Sequence, residues 1–254
     1  MQNSWIDEYY DSLEFFYWEP QHLGKKKHDN AEFKSLKHVR KHIRNMEVTL
    51  NHNIQQFFSL APFDLRNNLF LQFFNRDIPG TFALDERNVD KKYNLVNSTQ
   101  PDILFTSPNT TVSIEMKVGA KSTVTQVLKY VLLGLAIELI DGVKRTHYLG
   151  VLGPGTFTRQ WKEAFAFPED LRVALNSADA QKFLDKQPVH FRSHKERFAE
   201  ILSGLVIGFQ DYEKFAEVLL KGSPNPEDKT NGAEVYRNLI SGLVGELKYR
   251  KLVQ

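Results

Sequence analysis

The stretch from Asp102 to Val118 constrains the fold more than any other part of this chain. Residues 102–105 and 111–118 are short runs compatible with strands, split by Ser107-Pro108-Asn109-Thr110, a set of turn formers. Two strands this close read as a hairpin. Centred on Pro108-Asn109, with a loop of two or of four residues, it places position i opposite position 217 − i, so that Asp102 faces Glu115. Residues 81–90 read as a further strand, which makes a three-strand meander. Ser122 or Thr123 then caps a helix running to about Ile140, apolar almost all round, as a helix buried on several sides is. Gly142 closes it, and residues 147–152, bounded by Gly153-Pro154-Gly155, read as a short buried strand. The prediction is an α/β core with a mixed sheet.

Helical patterns flank this core. From 32 to 60 the apolar positions Phe33, Leu36, Val39, Ile43, Met46, Leu50, Ile54, Phe57 and Phe58 recur mostly at steps of three and four, the stripe of an amphipathic helix that ends near Pro62. A short helix is predicted over 64–74, stopped by Asp77-Ile78-Pro79-Gly80. Beyond Phe157 the pattern is helical over 171–184, 194–209 and 211–220, and after a Gly-, Pro-, Asn- and Asp-rich loop at 222–232 a last helix covers about 233–252. A chain of 254 residues with 41% hydrophobic content can bury one sizeable core. The expected organisation is an N-terminal helical segment (1–43), one core (44–157) and a C-terminal helical region packed on it (158–254).

Composition narrows the function by exclusion. The balance of 33 Lys+Arg against 31 Asp+Glu leaves +2, so attraction to an anionic polymer must come from local patches. Without cysteine there is no disulfide framework and no thiolate zinc site. The N-terminus is acidic and aromatic where a signal peptide needs a basic start, and the longest apolar run, 131–140, falls well short of the roughly 20 residues that cross a bilayer. A cytoplasmic protein without membrane contact is expected. No P-loop, G-x-G-x-x-G or G-x-S-x-G occurs, which leaves bound ATP, dinucleotides and a hydrolase serine without support. His147, His190 and His194 lack zinc-ligand spacing and read as structural or surface residues.

The hairpin carries the chemistry. Side chains alternate faces along a strand, so Glu115 and Lys117 share one face while Ile114, Met116 and Val118 share the core face. Directly opposed residues have Cβ atoms about 4.5–5.5 Å apart, and two like charges there destabilise the sheet unless something lies between them. A divalent cation is the candidate for the Asp102–Glu115 pair. Carboxylates are hard oxygen ligands suited to Mg²⁺, with Mn²⁺ as a substitute, and the Met116 carbonyl could add a ligand. Lys117, aimed at the same place, can orient or help deprotonate an attacking water, or offset charge on a phosphate. Together these are parts for metal-assisted phosphodiester hydrolysis.

Pro101-Asp102, twelve intervening residues and Glu115-Met116-Lys117 resemble the motif of the PD-(D/E)xK nuclease superfamily, over roughly residues 44–155. The resemblance implies a restriction-endonuclease-like fold, whose core is helix, three strands, helix, strand. It also implies a Mg²⁺ cofactor and a nucleic-acid substrate, DNA ahead of RNA. Many members carry Q-x-x-x-Y on the helix after the lysine strand, and this chain has Gln126-Val127-Leu128-Lys129-Tyr130. A spacing of four puts Gln126 and Tyr130 on one helix face, able to reach the same site. Thr123-x-x-Gln126 also reads as a capping box, and Tyr130 as a core residue. The family often draws an acid from the first core helix. Glu47 is the candidate here, set against the reading of a solvated helix residue, with Asp85, Glu86 and Asp90 on the first strand as weaker substitutes.

Lys34, Lys37, His38, Arg40, Lys41, His42 and Arg44 crowd the helix that leads into Glu47. Such residues give salt-dependent affinity for nucleic acid, although a charge run is more commonly a solvated helix face. Lys41 and Arg44, with Lys121 and Lys129 close in sequence to the proposed site, are the phosphate contacts expected. Two other readings stand beside the nuclease. One is a module that kept the nuclease fold and binds nucleic acid or a protein partner without catalysis; the other is an α/β interaction protein in which the motif is coincidence. A homodimer would suit the cutting of both strands.

Overall fold

Where the sequence shows one stripe from 32 to 60, the chain makes two helices. The computed structural model describes residues 4–17, 36–78, 80–85, 101–163, 165, 168–175 and 178–254. Within them Trp5–Tyr17 (α1) is followed by Leu36–Asn45 (α2) and Glu47–Leu60 (α3); Phe33 and Lys34 lie outside the described residues. The break falls at Met46, whose backbone is extended at φ −69°, ψ 138°. Neighbouring groups take up the carbonyls this frees. Thr49 Oγ1 lies 2.7 Å from Ile43 O and 2.8 Å from Met46 O, and Arg250 Nη1 donates to Met46 O at 3.0 Å. A one-residue break leaves the spacing of threes and fours nearly intact, so periodicity does not reveal it.

The chain divides into two compact units, Met1–Ala61 with Ala216–Gln254, and Pro62–Phe215. Of the segments read from the sequence, 1–43 lies within the first unit, while 44–157 and 158–254 each contribute to both. The first unit contains α1 to α3 and buries a carboxylate, Glu246, which has no exposed side-chain surface and accepts from Tyr10 Oη at 3.0 Å, Arg44 Nε at 2.8 Å and Arg250 Nε at 2.7 Å.

The second unit begins with Phe63–Phe74 (α4). Ala83–Leu84 (β1), Ile103–Thr106 (β2) and Thr110–Met116 (β3) then form the expected antiparallel meander. Ile103 faces Ile114 and Thr106 faces Thr111, so each pair sums to 217 and the register is the predicted one. Ser107 N donates to Thr110 O at 2.9 Å, closing the turn over Pro108-Asn109. Val124–Asp141 (α5) follows, with Thr123 as its cap and Gly142, at φ 70°, as its left-handed end. Thr146–Gly153 (β4) runs parallel to β3, as a strand reached through a crossover helix does.

Further on come Pro168–Leu175 (α6), Ala178–Asp185 (α7), Val189–Arg192 (α8), Lys195–Gly204 (α9), Val206–Asp211 (β5), Tyr212–Lys221 (α10) and Asn231–Tyr249 (α11). Two expectations are corrected here. The helix predicted over 171–184 is two, α6 and α7, and the helix predicted over 194–209 ends at Gly204 and gives way to β5, a fifth strand parallel to β4. Phe198, Ile201, Leu205 and Phe209 are spaced by three, four and four, so the helical stripe of α9 runs unbroken into the strand and hides it. The sheet is mixed, in the order β1-β2-β3-β4-β5.

One face of this sheet packs on α4. Phe70 stacks edge-on against Phe105, with ring centroids 5.2 Å apart, and Phe74 against Tyr148 at 5.1 Å. The approach is so close that a Cβ added at Gly208 would stand 2.2 Å from the Phe73 carbonyl oxygen, leaving glycine alone able to pass the helix backbone there. The opposite face, with Leu104, Leu149 and Val151, packs under α5 through Val127, Val131 and Leu135, and onward against Trp161, Leu171, Leu184, Phe198 and Ile201. Helix α5 is accordingly buried on several sides, as its apolar circumference predicts. No helix of the described residues is long and apolar enough to cross a membrane.

Candidate active site

The β2–β3 register puts Asp102, just ahead of β2, opposite Glu115, and both on the face that α5 covers. Alternation carries Lys117 to the same face, while its backbone N–H donates to Leu152 O at 2.8 Å and ties the strand end to β4. Glu115 and Lys117 are 7% and 8% exposed, a burial that ionisable side chains reach only with partners. Those partners are on hand. Glu115 Oε1 accepts from Lys117 Nζ and from Gln126 Nε2, and Oε2 accepts from Tyr130 Oη. Asp102 Oδ2 accepts from the Met116 N–H at 2.6 Å.

Helix α5 is set so that its first two turns supply two of these donors. Thr123 Oγ1 accepts from Gln126 N at 3.2 Å, which starts the helix at the right residue. In a capping box the Gln126 side chain would turn back to the cap; here it reaches Glu115 instead, and Tyr130, one turn on, does the same. Burial, then the Glu115 and Asp102 carboxylates, hold the Tyr130 phenol well above its usual range, so it remains protonated and a donor. Asp102, Glu115, Lys117, Gln126 and Tyr130 are thus brought together.

Glu47 is half-buried at the first position of α3, where a carboxylate offsets the partial positive charge of the helix N-terminus; it belongs to the first unit, whereas the cluster lies wholly in the second. Asp85 is buried, and its N–H donates to Leu104 O at 2.7 Å; this continues the β1 register and places it on the face that carries Asp102. Glu86 and Asp90 lie outside the described residues. Lys121 is exposed and Lys129 half-buried, three residues along α5 from Gln126. Lys41 is exposed on α2, but Arg44 is committed: it donates to Glu246 at 2.8 Å and to Asp7 at 3.1 Å, and lies 3.8 Å over the Tyr249 ring. A phosphate contact by Arg44 competes with these bonds.

The cluster offers a metal two carboxylates and backbone carbonyls, hard donors of the class Mg²⁺ and Mn²⁺ take. Three donors occupy Glu115 against about four lone-pair sites, which leaves room for one more bond. Among the described residues, no group of three or more His, Cys, Asp or Glu is placed to hold a metal ion.

A second buried polar network, which the sequence reading missed, lies farther along the same face. His147 Nδ1 is 2.6 Å from Thr111 Oγ1, and its Nε2 is 2.9 Å from Glu138 Oε1. Glu138 also accepts from Arg197 Nε and Nη2, each at 2.6 Å, and from Arg145 N at 2.7 Å. The signal for it was a lone acid inside the otherwise apolar α5. Burial works against the charge of Glu138, yet the bonds from Arg197, His147 and the Arg145 N–H outweigh it and hold the carboxyl at about 2, below its ordinary 4.5. A depressed carboxyl stabilises the fold above its unfolded value and loses that contribution as pH falls through the folded one. Urea midpoints of the native chain should therefore drop more steeply between pH 4.5 and 2 than those of Glu138→Gln; parallel decline of the two would refute this role.

Comparisons with protein-family models, with curated proteins and with solved structures return no match for this chain.

Proposed function

We propose that the chain is a metal-dependent nuclease of the PD-(D/E)xK type, with a restriction-endonuclease-like core, that hydrolyses phosphodiester bonds of DNA. The observation that carries this reading is the convergence of Lys117, Gln126 and Tyr130 on Glu115, with Asp102 facing it across the hairpin. A buried ion pair contributes little to stability compared with well-packed apolar side chains of similar size. Five polar groups gathered at the end of a sheet are therefore better explained by chemistry than by folding.

Asp102 and Glu115 would hold Mg²⁺ or Mn²⁺, with the Met116 carbonyl beside them. Such an ion polarises a phosphoryl oxygen and makes bound water more acidic. The chain's own groups have separable tasks. Met116 N–H fixes the Asp102 carboxylate, while Gln126 and Tyr130 fix both oxygens of Glu115. Lys117 Nζ orients the attacking water and offsets charge that develops on the phosphate oxygens. Cutting both strands of a duplex would take two copies of the chain.

The absence of a third carboxylate from the cluster, among the described residues, favours a second reading: a module of this fold that binds nucleic acid without cutting it. Labelled single- and double-stranded DNA and RNA, incubated with the chain in Mg²⁺, Mn²⁺ or EDTA, separate the two. Metal-dependent cleavage of DNA is expected; binding without cleavage in either metal would replace the nuclease by the module.

A further inference from the structure

Beyond Lys117 the chain runs into one wall of a cleft of about 490 Å³, lined by Gly119, Ala120 and Lys121 on that side and by Pro154, Gly155, Arg159 and Gln160 on the other. The two walls are fixed to each other. Ser122 N donates to Gln160 O at 2.6 Å and Lys162 N to Ser122 O at 3.0 Å, a short parallel bridge between the loops that follow β3 and β4. The Gln160 side chain, 3% exposed, is wedged beneath Gly153 and donates to Pro154 O, so the second loop is braced from inside. Lys121 and Arg159 are exposed, and neither forms an ion pair with a described residue. Among the described residues no carboxylate lines the cleft.

We infer that this cleft holds a sugar-phosphate backbone next to the bond that is cut, with Lys121 and Arg159 sharing one phosphate. The inference rests on the nuclease reading above. Lys121 stands four positions beyond Lys117, a span of at most about 14 Å, and a strand carries a phosphate about every 3.4 Å along a duplex axis, so the cleft lies within a few phosphates of Lys117. A small floor admits a backbone closely. Among the described residues no aromatic ring lines the cleft to stack a base, and its two cations suit contact with the backbone, which is indifferent to sequence. The substrate is then a strand that continues past the cleavage point, not a mononucleotide or free phosphate.

The test uses the full chain and the double variant Lys121→Gln/Arg159→Gln. Binding of a labelled oligonucleotide is followed by fluorescence anisotropy in EDTA over a range of salt, and cleavage of the same oligonucleotide and of bis(p-nitrophenyl) phosphate is followed in Mg²⁺. The variant should bind about tenfold more weakly, with a salt slope lower by about 0.7–0.9. Its KM for the oligonucleotide should rise while kcat, and hydrolysis of the small diester, stay near the native values. A variant that binds and cuts the oligonucleotide as the native chain does overturns the cleft alone. A native chain that neither binds nor cuts nucleic acid overturns the nuclease reading and the cleft with it. A native chain that binds without cutting leaves the anisotropy comparison to decide the cleft.

Discussion

Lys117→Ala should slow metal-dependent DNA cleavage by about 10²–10⁴-fold while the chain stays folded. The expectation follows from how Glu115 is held. With Lys117 gone, Glu115 keeps the Gln126 and Tyr130 donors, so neither of its oxygens is left bare in a buried place. The reverse substitution is less clean. Glu115→Ala leaves a Lys117 ammonium that is 8% exposed, a Tyr130 hydroxyl and a Gln126 amide without their shared acceptor, and breaking a buried pair in that way costs about 3–5 kcal/mol. Cleavage rates in Mg²⁺, read beside a thermal melt, separate the two effects. Native-like cleavage by a folded Lys117→Ala protein would leave the lysine as a structural ion-pair partner and remove it from the mechanism.

A stability effect as large as that of Glu115→Ala is expected in the other unit. Glu246→Ala should lower unfolding free energy by about 3–5 kcal/mol, because it strands two guanidiniums. The Arg250 side chain is 3% exposed and that of Arg44 14%, and both lean on a carboxylate whose side chain has no exposed surface. Arg250 Nη2 also donates to Tyr10 Oη and to Thr49 Oγ1, each at 3.0 Å, and Asn53 Nδ2 donates to Tyr10 Oη at 3.0 Å, so the loss would spread through α1 and α3. Burial first, and then the Glu246 charge, raises the Tyr10 phenol, which marks how dry this network is. Urea unfolding of the native and variant chains measures the difference; a change below about 1 kcal/mol, the size of an exposed pair, would mean water reaches the arginines.

What the sequence made legible was local. The β2–β3 register followed from a turn set between two runs, because a two-residue side-chain period allows no slip without exposing the core face. Gln126 and Tyr130 were singled out by the resemblance to Q-x-x-x-Y, and the helix repeat, which stacks positions four apart, set both on one face. Longer-range facts had no such signal. Arg44 reads as one more member of a basic run, and only a partner 202 residues away turns it into part of a buried network. Strand β5 was masked because its apolar residues happen to continue the spacing of α9. Glu138 and Glu246 are acids among largely apolar helix neighbours, yet Arg197 lies 59 positions from Glu138 and Arg44 202 from Glu246; Arg250 alone of these arginines is near in sequence, at the end of the helix that carries Glu246.

The capping of α5 by Thr123 ties the hydrogen bonding of the cluster to the thermal motion of a helix end. Helices fray from their termini, and opening there needs far less free energy than unfolding the core. Gln126 stands in the first turn and Tyr130 in the second, so a helix opening from this end gives up the Gln126 bond to Oε1 before the Tyr130 bond to Oε2, while Lys117, at the end of β3, keeps its bond to Oε1. The carboxylate then keeps two anchors, Lys117 on Oε1 and Tyr130 on Oε2, and a lone pair of Oε1 comes free for an incoming ligand without the sheet that carries it having to move.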